Sequence, residues 1–225
     1  MTHAPETPQE PETPTVAEGS TLLVIGIAGA SGSGKSCLAQ GVAAALEAPI
    51  LALDAYYRDL AHLPLEERAR QNFDHPDALD WTLLSRHLQQ LRRGEAAPVP
   101  CYDFASHTRA VRTSLLRARH VLVVEGILAL HQPEIRQQMA LRVFVDLDSE
   151  ECLRRRMERD IRERGRTRAC VLRQYQETVR PMDLQFVQPS AALADVRVRG
   201  DAALDGLIAS VVSAARARMA SAALA

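Results

Sequence analysis

A parallel β-sheet held between two layers of helices is the fold class this sequence predicts, and three observations predict it. Short apolar runs without polar alternation recur from Leu22, from Ile50, from Val121 and from Leu141, as they do in strands buried on both faces. Helical segments separate these runs, which is the pattern of βαβ units in a three-layer α/β protein. The first run ends in Gly29-Ala30-Ser31-Gly32-Ser33-Gly34-Lys35-Ser36, which matches G-x-x-x-x-G-K-[ST] in full at a strand-to-helix junction. The prediction is therefore a three-layer P-loop fold.

Each element follows from local composition. Residues 1–20 repeat Pro, Glu and Thr with few apolar side chains, so they cannot bury enough surface to offset their ordering entropy. A disordered tail is expected there, with one domain over 21–225. Lys35 to Glu47 is Ala-rich and reads as a helix that Pro49 ends. Ile50 to Leu53 reads as a short strand that stops at Asp54. Asp80 is placed to cap a helix running through Leu91 and closed by Gly94. Val99 to Tyr102 and Ala110 to Leu115 read as two short strands of a hairpin. Val121 to Val124 is a strand ending in Glu125-Gly126, and Leu141 to Val145 another ending in Asp146. A charged helix is predicted from Ser149 to Glu163, and a further one from Ala169 to Val179, stopped near Pro181. Ala194 to Val198 is the last predicted strand and Leu204 to Met219 the closing helix.

Composition excludes several classes. The 225 residues carry a net charge of −1, so no global field draws nucleic acid or an anionic membrane. No apolar run reaches the roughly 18 residues of a membrane span, and Met1 to Ser20 lacks the basic and apolar parts of a signal peptide. Cys37, Cys101, Cys152 and Cys170 form no C-x-x-C pair, which points to reduced thiols and a cytoplasmic location.

Lys35 is the only lysine, all other basic side chains of the Lys+Arg total of 27 being arginine. A lysine that survives such a bias points to chemistry that a planar guanidinium cannot perform, and a compact point charge inside a phosphate-cradling loop is such chemistry. The loop from Gly29 and Ala30 should bind a nucleoside triphosphate through the inward backbone N–H groups of Ser31 to Gly34, with Lys35 reaching its β- and γ-phosphates, Ser36 offering a hydroxyl to Mg²⁺ and Cys37 following in the first helical turn. Asp54 and Glu125 each follow an apolar strand, so both are expected at the carboxyl edge of a parallel sheet, where ligands bind. Glu125 is placed to bind Mg²⁺, and Asp54 to accept a proton, steer a hydroxyl or hold a metal-bound water. Asp146 also ends a strand, so position alone does not make a catalytic acid.

Further motifs carry a resemblance. GASGSGKS is followed in order by LDAYYRD at 53–59, QNFDHPDALD at 71–80, PCYDFASHTR at 100–109, VVEGILAL at 123–130, FVDLDSEECLRRRMERDIRERGR at 144–166 and VLRQYQETVRPMDLQFVQPS at 171–190. In this joint order the chain resembles the uridine kinase (uridine–cytidine kinase) family from the first strand to about Ile208. The resemblance implies a nucleoside kinase domain in which ATP or GTP gives its γ-phosphoryl group to the 5′-hydroxyl of uridine or cytidine. It implies Asp54 as base, a Mg²⁺ site at Ser36 and Glu125 with Asp54 nearby, and Asp74 on the ribose hydroxyls with Arg156 and Gln174 in support. By the same resemblance Tyr102 and His107 read the pyrimidine edge, Tyr57, Phe73 and Phe104 line the pocket, and Arg166 approaches the nucleoside. A pyrimidine stacks on aromatic side chains and presents a polar edge, and neutral imidazole can donate to it or accept from it. The family is also commonly tetrameric, which implies a homo-oligomer, and is inhibited by pyrimidine triphosphates.

Eight arginines crowd between 154 and 168, interleaved with Glu150, Glu151, Glu158, Asp160 and Glu163. Many pairs fall at i,i+3 or i,i+4 spacing, as on a solvated helix face. The resemblance instead makes 156–168 a helical lid whose Arg159 and Arg166 clamp the transferred phosphate, with Gly165 as a flexible point. Nucleic-acid binding is opposed by the net charge and by the lack of interleaved aromatics. Departures from the family are Cys37 in place of a hydroxyl residue, Ala55 after Asp54, Leu193, and VRGD at 198–201. Two other readings stay open at this stage: a kinase of another small alcohol such as a sugar phosphate, and a non-catalytic nucleotide-binding regulator. The N-K-x-D guanine reader of a GTPase switch cannot be built without a second lysine.

Overall fold

In the computed structural model, which describes residues 22–223, strand β1 (Leu23–Gly29) passes through the glycine loop into helix α1 (Lys35–Ala45) and returns as β2 (Ile50–Ala52). The tail expected at 1–20 lies outside the described residues. After β2 come α2 (Leu65–Ala69), α3 (Trp81–Arg92) and the ribbon of β3 (Ala97–Asp103) and β4 (Thr108–Leu116). The chain re-enters the sheet as β5 (Val121–Glu125), turns through α4 (Pro133–Arg136) and returns as β6 (Leu141–Asp146). Helices α5 (Ser149–Arg164), α6 (Arg168–Gln174) and α7 (Arg180–Met182) precede β7 (Val196–Arg199) and the closing α8 (Leu204–Ala223). No helix among the described residues is long and apolar enough to cross a membrane.

The five-stranded sheet has the order β2-β5-β1-β6-β7, all parallel. Every residue of β1 is buried, as its continuous apolar run requires of a central strand. Two apolar clusters cover the two faces. Leu38 and Val42 of α1 with Val211 and Ala215 of α8 pack on Ile25 and Val143. On the other face Leu84, Leu88 and Leu91 of α3 pack with Val24, Leu122 and Phe144. The predicted three layers are present, and α3 starts at Asp80, whose carboxylate accepts the Leu83 N–H at 3.0 Å.

Register fixes where chemistry can occur. Ile27 of β1 and Ala52 of β2 both stand opposite Glu125 of β5. Two residues further along their strands lie Gly29, which opens the loop, and Asp54. The loop, Asp54 and Glu125 therefore share the carboxyl edge of the sheet, the ligand edge of parallel α/β folds.

The structure departs from the prediction near Pro181. Instead of stopping, the chain stays helical to Leu193, with wide π turns at Tyr175–Val179 and Asp183–Val187 on either side of α7. Proline lacks an N–H and its ring crowds the carbonyl four residues back; a widened turn before Pro181 relaxes both demands, so the helix survives it. Helices α2 and α4 were not predicted, being five and four residues long, too short to show a helical period.

Candidate active site

The glycine loop closes by a hydrogen bond from Ser33 N–H to the Ala30 carbonyl (3.1 Å). Gly32 has φ +92, and a Cβ there would lie 2.3 Å from the Cys152 carbonyl oxygen, so both conformation and space demand glycine. Gly34, in the left-handed region, precedes α1 with no side-chain cap. The first N–H groups of α1 are thus left for an anion, at the positive end of the helix dipole. Ser31, Lys35 and Ser36 line a cleft of about 590 Å³. Ser33 of the loop is buried and its hydroxyl has no hydrogen-bond partner among the described residues, whereas Cys37 is exposed.

Two carboxylates meet Lys35 and Ser36 in the cleft. Asp54 stands on the tight turn Leu53–Tyr56 after β2, and Glu125 ends β5. The Ser36 hydroxyl donates to Glu125 Oε2 at 3.2 Å. Burial pushes the Glu125 carboxyl up, the Lys35 charge opposes this, and the Asp54 charge adds to it. This pair of acids and a hydroxyl is an all-oxygen set beside a phosphate-binding loop, its negative charge only partly offset by Lys35. Such a set suits a hard cation that keeps waters and phosphate oxygens in its shell, as Mg²⁺ does. Among the described residues no group of three or more His, Cys, Asp or Glu side chains is arranged to hold a metal.

The other half of the cleft is aromatic. The β3–β4 turn is shaped by Asp103, whose carboxylate accepts Ala105 N–H (2.9 Å) and Ser106 Oγ (2.6 Å). His107, at φ 53, leaves that turn and stacks on Phe73 with centroids 4.8 Å apart and planes at 16°. Tyr57 contacts Phe73 at 5.2 Å and Tyr102 at 5.3 Å, and Phe104 contacts Tyr102 at 5.3 Å. Burial and the nearby Arg166 charge lower the His107 pKa, so at neutral pH its ring is uncharged and carries one donor and one acceptor. The buried Tyr102 hydroxyl has no hydrogen-bond partner among the described residues. Asp74 joins this half; burial raises its carboxyl, Arg156 opposes the shift and Asp54 adds to it. Burial also raises Tyr57, followed by the charges of Asp54 and Asp74 and a hydrogen bond to Asp54. Asp54 thus acts on both halves of the cleft.

The ribbon is docked by Arg109. Its Nε donates to the Tyr57 carbonyl (2.8 Å), one terminal nitrogen to the Tyr56 carbonyl (3.1 Å) and the other to Asp80 (3.2 Å). Opposite stand α5 and α6. Arg156 donates to Ser31 Oγ at 2.8 Å and to Gln174 Oε1 at 3.1 Å, and Arg166 donates to the same Gln174 oxygen at 2.8 Å. Arg159 and Arg164 line the same cleft.

All the side chains assigned to the acceptor and the proposed metal, with Lys35, Arg159 and Ser31, face this one cleft. Sequence reasoning missed Ala105, Gly126, Ile127, Glu163 and Arg164 of the lining, and Arg109, which docks the ribbon. It also read Asp160 only as one of several interleaved acids. In the folded helix Cys152, Arg156 and Asp160 form a buried stripe at a spacing of four on α5.

Comparison with known proteins places the chain. Residues 24–202 match the model of the phosphoribulokinase/uridine kinase family. The chain is similar to the uridine kinase of Vibrio cholerae, at 46% identity over 190 residues covering 81% of this chain and 89% of that protein. It is likewise similar to the uridine kinase of Chloroflexus aggregans, at 46% identity over 199 residues covering 85% and 95%. Among solved structures, phosphoribulokinase from Rhodobacter spheroides shares the fold, with a TM-score of 0.60 at 16% identity over 80% of this chain and 71% of that one.

Proposed function

The chain belongs to the phosphoribulokinase/uridine kinase family, and on that premise we propose that it transfers the γ-phosphoryl group of ATP or GTP to the 5′-hydroxyl of uridine or cytidine. One observation carries the reading. A single cleft holds a phosphate loop with its lysine on one side and an aromatic pocket with a neutral histidine on the other, with Asp54 acting on both.

The pyrimidine ring packs among Tyr57, Phe73, Tyr102 and Phe104, and its polar edge meets His107 and the free Tyr102 hydroxyl. Uridine presents a carbonyl where cytidine presents an amino group, and an uncharged imidazole serves either by choice of tautomer. Asp74 holds the ribose hydroxyls, with Gln174 and Arg156 behind it. This leaves the 5′-oxygen near Asp54, which accepts its proton as that oxygen bonds to the γ-phosphorus and the bond to the β,γ-bridging oxygen breaks. Lys35, Arg159 and Arg166 stabilise the charge that develops on the transferred group, in a setting where fixed dipoles replace water. Ser36 and Glu125, with Asp54 nearby, would hold Mg²⁺, which would supply charge neutralisation on the phosphates.

The test is transfer from MgATP to uridine by the wild type and by Asp54→Asn. The variant is expected to bind MgATP within about threefold of the wild type while turnover falls about 10²–10⁴-fold. Unchanged turnover removes Asp54 as the base.

A further inference from the structure

Asp160 is the one fully buried acid among the described residues, and the chemistry above does not use it. Four arginines surround its side chain. Arg159 donates to Oδ1 at 3.0 and 2.9 Å, Arg166 donates to Oδ2 at 3.0 Å, and Arg164 and Arg156 approach at 3.5 and 3.7 Å. The Asp160 main-chain carbonyl accepts the Arg166 N–H at 3.2 Å, which fixes the turn at Gly165 where α5 ends.

We propose that Asp160 is the positioning residue that sets the lid arginines over the cleft and joins the donor loop to the acceptor hairpin. Four guanidinium groups this close repel one another, and a buried carboxylate is what allows them to converge. Each arginine also reaches beyond Asp160 into the site. Arg156 reaches Ser31 of the glycine loop, Arg166 reaches Gln174, Arg164 lies 6.0 Å from the Phe104 ring centroid, and Arg159 faces the cleft. Four arginines around one carboxylate keep the cluster itself net positive, on the wall of a cleft that also holds Asp54, Asp74, Glu125 and Glu163. Burial alone would raise the Asp160 carboxyl, but the charges of Arg156 and Arg159 outweigh it and hold it low, so the hub stays ionised.

This role rests on the kinase reading, and the test separates the two. Steady-state transfer is measured for the wild type, Asp160→Asn, Arg166→Ala and the double variant, with MgATP affinity measured without acceptor. Asp160→Asn is expected to lower kcat about 10–100-fold, with MgATP affinity within about threefold. In the Arg166→Ala background the same change should cost less than about threefold, because the two act as a unit. A wild-type kcat for Asp160→Asn, or an equal cost in both backgrounds, overturns the proposal. Partial rescue by Asp160→Glu is expected, and that variant carries the test if Asp160→Asn does not fold; an undiminished kcat in it also overturns the hub. A second readout needs no acceptor: trypsin should cut residues 159–168 at least about tenfold faster in the folded Asp160→Asn protein, through local opening of the unpinned lid. Equal cutting rates refute the hub, whereas absence of uridine phosphorylation by the wild type refutes only the acceptor reading.

Discussion

Glu125 shows how single residues here are held against their own preference. Burial and the Asp54 charge raise its folded-state pKa despite Lys35 and Ser36. A carboxyl whose folded pKa lies above its unfolded value contributes stability below the unfolded pKa and loses it as pH rises through the folded pKa. At neutral pH the ionised Glu125 therefore costs stability. Glu125→Gln is expected to raise Tm at pH 7–8 by about 2–4 °C for each kcal/mol relieved, with little change near pH 4, while transfer activity is lost. Thermal melts at the two pH values check this, and a lower Tm at pH 8 than the wild type contradicts it. Glu125 was legible in the sequence because an apolar strand ends on it. Asp160 was not, because its four partners gather only when α5 and the turn after Gly165 are folded.

Among the elements, the β3–β4 ribbon separates what patterning reveals from what it hides. Its strands were legible as two short runs around a polar turn. Its docking was not, since two of the three acceptors of Arg109 are the Tyr56 and Tyr57 carbonyls, and main-chain groups leave no mark on composition. Arg109→Ala should loosen the ribbon from the turn that carries Asp54. The expected result is a KM for uridine raised about tenfold or more through misplacement of the pocket, with the KM for MgATP within about twofold. Equal changes in both constants would deny the ribbon its separate role. The helix after α5 teaches the converse, since Pro181 signals a stop that the widened turns around it override.

For the whole molecule, parallel topology does the organising. The register that sets Ile27 and Ala52 opposite Glu125 brings the loop, Asp54 and Glu125 to one edge although they are far apart in sequence. Alternating apolar runs and helices made the layers legible, and the glycine loop marked the functional edge. The strand order β2-β5-β1-β6-β7 had no such signal, because fully apolar strands do not declare their neighbours. In the proposed function this edge joins a triphosphate site to a pyrimidine-nucleoside pocket. The most direct measurement is phosphoryl transfer from MgATP and MgGTP to uridine, cytidine, thymidine, adenosine and ribulose 5-phosphate under one set of conditions. Transfer confined to uridine and cytidine is the predicted result; transfer to ribulose 5-phosphate or adenosine in their place would contradict it.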